Sequence, residues 1–242
     1  MTPTLCLDFG NTRLKGAVFY GDRLEQTILF PEEVLPALEE VLQQYRPARS
    51  ILASVVDHPA EVERLLSGST QFHKLTHESK LPFRLGVSKP QSTGTDRLAL
   101  VAAAVQLFPG QHNLAIGLGS CITYNFVNKY NEYLGGAISP GMEMRLKALN
   151  HYTAKLPLVP ADWNVPLIGY DTPTNIQSGV VLGMAKEIDG IISEYRERYG
   201  NFNALLTGGD IAFFGPHLKS KIFANPDLIF NGLYAISKVN NV

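Results

Sequence analysis

The strongest constraint on this chain is an order of elements that occurs twice. Leu5–Asp8, Leu14–Tyr20 and Glu25–Leu29 read as three strands joined by short polar turns, the second turn carrying Gly21-Asp22. The stretch "PEEVLPALEEVLQQY" follows, with Pro31 and two acids at its start and Val34, Leu38, Val41 and Leu42 at helical spacing. Pro36 lies near the first turn, where a missing N–H matters least. Ser50–Val56 reads as a buried strand, Ala60–Leu66 as a short helix, Gln71–Leu75 as a strand and Asp96–Leu107 as a strongly apolar helix. The second half repeats the order. Asn113–Gly119, Cys121–Val127 and the run around Tyr133–Ile138 resemble strands. Helices are expected at about Met142–Tyr152 and Thr174–Arg198, strands at Ala204–Leu206 and Leu228–Phe230, and a closing helix to about Lys238. A βββαβα order read twice predicts an α/β protein of two similar domains, residues 1–109 and 110–242, with Pro109-Gly110 at the break. At 242 residues and 45% hydrophobic content, the chain has apolar material for two cores.

Charge narrows the partners. A formal net charge of −1 gives no electrostatic reason to expect nucleic acid or an anionic membrane. Cys6 and Cys121 lie inside apolar strand-like runs and read as buried thiols rather than a disulfide or metal pair. His73 and His77 are four apart in a segment that reads as strand and loop, so they do not share a helical face. No basic and then apolar leader opens the chain, and no apolar run is long enough for a membrane span. A cytoplasmic protein is expected.

Both halves place a glycine-bearing turn between their first two strands, "DFGNT" in one and "GLGSC" in the other. Such a turn lets backbone N–H groups approach a ligand closely. Asn11 and Thr12 add side-chain donors, Lys15 adds a positive charge, and Asp8 is placed where a carboxylate can hold Mg²⁺. The same residues also suit an ordinary hairpin whose polar side chains satisfy the turn. Further along, "GTDRLALVAAA" sets Asp96 and Arg97 at the start of an apolar helix. Asp96 could simply complement the helix dipole. Arg97, however, stands at the end where its charge is unfavourable, and the pair suits proton abstraction from a hydroxyl beside an anion-binding guanidinium. "GGAISPG" (Gly135–Gly141) turns its backbone tightly, and "LLTGGD" (Leu205–Asp210) ends a strand in a glycine turn suited to a nucleotide. Trp163, alone in "PADWNVP", reads as a loop anchor.

Taken in order, DxGNT, GxDR, a second glycine turn, GGxIxPG and TGGD resemble the type III pantothenate kinases, of the acetate and sugar kinase, Hsp70 and actin superfamily. The resemblance runs from Asp8 to Asp210 and includes "HYTAKLPLV" and "TPTNIQSGVVLGM". It implies two ribonuclease H-like domains of the actin-like ATPase fold with a nucleotide cleft between them. It also implies a homodimer whose pantothenate pocket is completed across the subunit interface. The implied activity is ATP-dependent phosphorylation of pantothenate to 4'-phosphopantothenate, the first step of coenzyme A biosynthesis. By the same resemblance Asp8, Phe9, Gly10, Asn11, Thr12, Arg13, Leu14 and Lys15 form the first phosphate loop, with Asp8 the Mg²⁺-associated carboxylate. Asp96 matches the general base, Gly94, Thr95, Asp96 and Arg97 the pantothenate-contacting segment, Ser120 a phosphate-contacting hydroxyl, and Thr172 a threonine of the pantothenate pocket.

Three positions depart from the family pattern. Gly117 replaces the aspartate that begins the second loop and helps bind K⁺ or NH₄⁺, which puts activation by a monovalent cation in doubt. Asn125 stands where another aspartate is common, and "GVSKPQS" lacks the tyrosine that many members carry upstream of GTDR. Two rival readings keep the fold: a kinase of another small alcohol, or a non-catalytic nucleotide-responsive regulator.

Overall fold

Strand β1 (Pro3–Phe9) is buried along nearly its whole length, and the first unit of the protein is assembled around it. The structure is a computed structural model and describes residues 2–240. β1 pairs antiparallel with β2 (Leu14–Tyr20), which pairs antiparallel with β3 (Arg23–Phe30). After helix α1 (Val34–Tyr45), strand β4 (Arg49–Ser54) returns on the other side of β1 and runs parallel to it. Helix α2 (Ala60–Ser69) leads to β5 (Gln71–Lys74), parallel to β4, which completes the order β3-β2-β1-β4-β5. The alternation of β1 gives it two buried faces. Leu5, Leu7 and Phe9 join Val34 and Leu38 of α1 in one core cluster, and Cys6 is fully buried on the other face. The apolar stripe Val34, Leu38, Val41 and Leu42 that predicts α1 is the face it buries, worth roughly 1.5–3 kcal/mol per side chain.

The other face of this sheet is covered by two helices far apart in sequence. After the short β6 (Arg84–Leu85) comes α3 (Thr95–Leu107), in which every residue from Leu98 to Val105 is buried. No single stripe shows in such a helix because it is enclosed on all sides. Its second cover is the last helix, which packs against it at backbone contact. A Cβ on Gly232 there would lie 1.8 Å from the carbonyl oxygen of Ala99. Tyr234 in the same helix stacks on Phe19 of β2 with centroids 4.5 Å apart.

The second unit repeats the plan. Strands β7 (Asn113–Leu118), β8 (Cys121–Val127) and β9 (Glu132–Pro140) are neighbours in one sheet. Helices α4 (Met142–His151), α5 (Thr172–Gln177) and α6 (Gly183–Tyr199) follow, and β10 (Asn203–Thr207) lies parallel to β7 as β4 does to β1. Helix α7 (Ile211–Phe214), strand β11 (Phe223–Ala224) and helix α8 (Leu228–Asn240) complete the chain, β11 pairing parallel with β10. β6 pairs parallel with the first residues of β9, Arg84 with Glu132 and Leu85 with Tyr133.

Two expectations need correction, and the compact units can be set beside the expected domains. Leu228–Phe230 is the first turn of α8 and not a strand, because Leu228 and Phe230 are buried as part of one amphipathic helix. The helix expected over Thr174–Arg198 is interrupted by a π turn at Ser178–Leu182, between α5 and α6. The division at residues 109 and 110 differs from the compact units. Among the described residues, the first unit takes those up to Gln111, together with Val127–Gly135 and those from Asp227 onward; the second takes His112–Phe126 and Gly136–Pro226. Packing of α8 on α3 draws the C-terminal segment back to the first unit.

The contact between α3 and α8 is tight enough to test. Gly232→Ala places a methyl group against a backbone carbonyl that has nowhere to move without separating the helices. It is expected to lower unfolding free energy by ~1–3 kcal/mol in urea titration, the usual cost of overpacking. An unchanged midpoint would mean that the two helices are not in backbone contact.

Candidate active site

The parallel pair β1 and β4 directs its carboxyl ends to one place, and ligands of α/β sheets bind outside such ends. Asp8 is the penultimate residue of β1, opposite Lys15 across the hairpin and beside Ala53 of β4. The start of α3 is tied to the same place. Thr95 Oγ1 donates to the carbonyl of Ser54 at 3.2 Å, and the Val55 N–H donates to the carbonyl of Phe9 at 3.0 Å. Asp96, in the first turn of α3, therefore lies near enough to Asp8 to act on its charge.

The Asp8 carboxyl is raised to about 7, chiefly by burial and in part by the charge of Asp96, with Lys15 opposing both. Asp96 is also raised, chiefly by burial, against the N–H and positive charge of Arg97 and its own N–H. Two carboxylates close together, one opposed by Lys15 and the other by Arg97, offer oxygen atoms that a divalent cation could share with a phosphate ligand. Gly94 permits the arrangement, since a Cβ there would fall 2.4 Å from Asp96 Oδ1. Arg97, the next residue, has its guanidinium carbon 6.0 Å from the centroid of the Tyr133 ring, within cation–π range.

The first loop closes by a bond from the Gly10 N–H to the Arg13 carbonyl at 3.1 Å. Asn11, Thr12 and Arg13 are exposed, and Leu14 and Lys15 are half-buried. Phe9 is fully buried with its ring edge-on to Phe30, so of that residue only the backbone can reach a ligand. Twelve of the residues the sequence nominates, Asp8 to Lys15 and Gly94 to Arg97, thus belong to one unit.

Ser120 and Thr172 belong to the second unit. Here the three glycine motifs meet. A Cβ on Gly141 would lie 2.1 Å from the Gly119 carbonyl, and one on Gly208, which has φ +107°, 2.1 Å from the Leu118 carbonyl. The Gly141 N–H donates to the Ser120 carbonyl at 3.0 Å, and the Asp210 N–H to the Leu118 carbonyl at 3.3 Å. "GGAISPG" and "TGGD" therefore hold the second loop by backbone on backbone. Thr172 is exposed at the start of α5, beside a capping box formed by Asp171 and Thr174. Trp163 is the anchor its sequence predicts: its Nε1–H donates to the Phe213 carbonyl at 2.6 Å and its ring stacks on His217.

The donor set for a monovalent cation does not fit. Gly117 has no side chain, and Asn125 is fully buried with its amide donating to the Ala115 carbonyl at 3.1 Å and to Thr123 Oγ1 at 3.2 Å. Asn125 is a structural amide whose donors an aspartate would lack.

Sequence reasoning missed two polar networks. Arg145 on α4 holds the end of β9 through Nε–H to the Pro140 carbonyl and its terminal amine to Ser139 Oγ, both 2.8 Å, and pairs with Glu187 of α6. Glu187 also accepts from the buried Tyr124 hydroxyl at 3.1 Å. In the first unit, His58 links Ser54 to Glu63. Neither pattern has a local signal, because the partners come together only through packing.

The backbone first defines a class. It is similar to the crystal structure of a glucokinase from an Antarctic psychrotroph, with a TM-score of 0.54 at 11% identity, covering 98% of this chain and 99% of that one. A Campylobacter jejuni protein assigned to the Baf family of transcriptional activators gives a TM-score of 0.63 at 22% identity, covering 97% of each chain. Likeness at these identities speaks for the fold, two ribonuclease H-like domains of the actin-like ATPase class. The sequence then gives the family. Residues 4–194 match the type III pantothenate kinase model, and a type III pantothenate kinase of Flavobacterium johnsoniae is 42% identical over 233 residues, 95% of each chain. The chain belongs to the type III pantothenate kinase family.

The raised Asp8 carboxyl has a consequence for stability. Its folded-state value near 7 lies above the ordinary aspartate value, so its neutral form is favoured on folding. The associated stability is present below about pH 4 and is lost as pH rises toward about 7, at up to ~1.4 kcal/mol per pH unit. Asp8→Asn removes this slope. In urea titrations without ligands the variant is expected to be more stable than wild type at about pH 8 and no more stable at about pH 4. Equal pH slopes in the two proteins would contradict a buried, charge-burdened Asp8.

Proposed function

We propose that this chain transfers the terminal phosphoryl group of ATP to the primary hydroxyl of pantothenate, giving 4'-phosphopantothenate and ADP. The observation that carries the reading is the pairing of Asp8 with Asp96 at one strand end, with Arg97 and the Gly10–Arg13 turn beside them. Asp96 accepts the hydroxyl proton as the substrate oxygen bonds to the terminal phosphorus and the bridging P–O bond to ADP breaks. Burial fits it to this task, because a carboxyl raised above its ordinary value is a stronger base. Arg97 binds the substrate carboxylate, with Gly94 and Thr95 shaping the same segment and Thr172 lining the pocket. The N–H groups of the first loop, with Asn11, Thr12, Arg13 and Lys15, hold the phosphates, and Ser120 supplies a second hydroxyl contact.

Asp8 would hold Mg²⁺. When bound, the ion neutralises charge on the phosphates, and phosphate oxygens complete its ligand set as is usual for this metal. The carboxylate of Asp8, with that of Asp96 near enough to act on its charge, is the oxygen donor that such an ion would take from the protein.

A homodimer is part of the same reading. Tyr152, Leu158, Leu167, Ile168 and Tyr170 are all more than half exposed in the stretch that leads to Thr172, an apolar concentration that a second copy would cover. No helix among the described residues is long and apolar enough to cross a membrane, and a kinase drawing on ATP belongs in the cytoplasm.

Two measurements test the reading. Asp96→Asn is expected to lower kcat for pantothenate-dependent ADP release ~10²-fold or more, the scale of a positioned general base. Near wild-type turnover would remove Asp96 from its role. With Gly117 and Asn125 in place, turnover in sodium-only buffer should match that in potassium or ammonium buffer; a steep requirement for either ion would mean that other residues supply the ligand.

A further inference from the structure

Residues 55–59 connect β4 to α2, and their irregular backbone is where the Asp8 end of β1 meets the Asp96 end of α3. Ser54 takes part on both sides. Its carbonyl accepts from Thr95 Oγ1, and the next residue, Val55, donates to Phe9, the neighbour of Asp8. A junction that fixes two catalytic groups at once cannot be left loose.

His58 is the side chain that fixes it. Nδ1 hydrogen-bonds with Ser54 Oγ at 3.0 Å, and Ser54 Oγ donates to the Val56 carbonyl at 2.8 Å, closing the turn. Nε2 hydrogen-bonds with Glu63 Oε1 on α2, also at 3.0 Å, and Glu63 is in turn held by Lys74 Nζ of β5 at 2.7 Å. The imidazole packs edge-on against the Phe9 ring, with centroids 5.7 Å apart and planes at 85°. Its side chain is only 9% exposed. A residue present for packing alone would have no need of two polar partners at opposite edges of the ring, and a phenylalanine would fill the same space.

We propose that His58 is a positioning residue of the kinase. Through Ser54 and Phe9 it sets the separation between the Asp8 loop and the Asp96 helix end, with the Glu63–Lys74 pair as its anchor. His58 touches neither substrate, so its removal should act on turnover and leave ground-state binding alone. Displacement of a reacting group by a fraction of an ångström to an ångström costs ~10- to 10²-fold in rate. The proposal rests on Asp96 being the general base.

The test uses His58→Phe, which keeps the ring against Phe9 and deletes the ring-nitrogen bonds to Ser54, the Val56 carbonyl and Glu63, with Ser54→Ala, the double variant, Glu63→Gln and Asp96→Asn alongside. In His58→Phe, kcat is expected to fall about tenfold with KM for pantothenate and for ATP within about twofold of wild type. Ser54→Ala should show the same split, and the double variant should be no slower than His58→Phe, because one connection is cut twice. Glu63→Gln retains an oxygen acceptor for Nε2 and should keep most of the turnover. A folded His58→Phe with wild-type kcat, a loss confined to KM, or losses that multiply in the double variant would each overturn the proposal. Should His58→Phe fail to fold, Ser54→Ala decides alone: reduced kcat with unchanged KM supports the brace, and wild-type kcat refutes it. An inactive Asp96→Asn beside an unaffected His58→Phe sinks only the brace, whereas an active Asp96→Asn takes the base assignment and the brace down together.

Discussion

The structure depends on forcing two carboxylates together where water is scarce. Asp8 and Asp96 come from segments nearly ninety positions apart; both are hard to ionise through burial, and the charge of Asp96 makes Asp8 harder still to ionise. Nothing in the packing of a stable unit calls for such a pair. The surrounding parts impose it: the parallel register of β1 and β4, the Thr95–Ser54 bond, and the enclosure of α3 by α8. A fold that stores unfavourable charge in this way is prepared for a ligand that brings positive charge of its own.

The two units solve the placement of a loop by different means from similar strand orders. In the first, the loop closes on itself through the Gly10 N–H and the Arg13 carbonyl, and Gly94 makes space for the Asp96 carboxylate. In the second, Gly141 and Gly208 bring carbonyl oxygens of residues 118–120 closer than any side chain would allow, so the loop is held by main chain. Main-chain contacts of this kind leave little to repack, and substitutions there strain the backbone directly.

Much of this was legible in the sequence because it is local. The stripe of α1, the two hairpins of the first sheet and the glycine turns each announce themselves within a dozen residues, and the order of DxGNT, GxDR, GGxIxPG and TGGD carried the family. What stayed hidden depends on packing and backbone geometry that local pattern does not mark. Leu228–Phe230 has the composition of a strand, and only its burial against α3 shows it to be the first turn of a helix. The π turn at Ser178–Leu182 has no compositional mark. His58 could not be found from its spacing to Ser54 and Glu63, because the chain between them is irregular and periodicity says nothing there.

The return of α8 to the first unit also bears on how the molecule is made. Ala99 and Ala103 of α3 meet Gly232 of α8, a helix that follows the second unit in the chain. On the ribosome the second unit therefore has all of its strands and helices before the first can close. Until α8 has been made, the face of α3 that meets Gly232 has no cover from that helix.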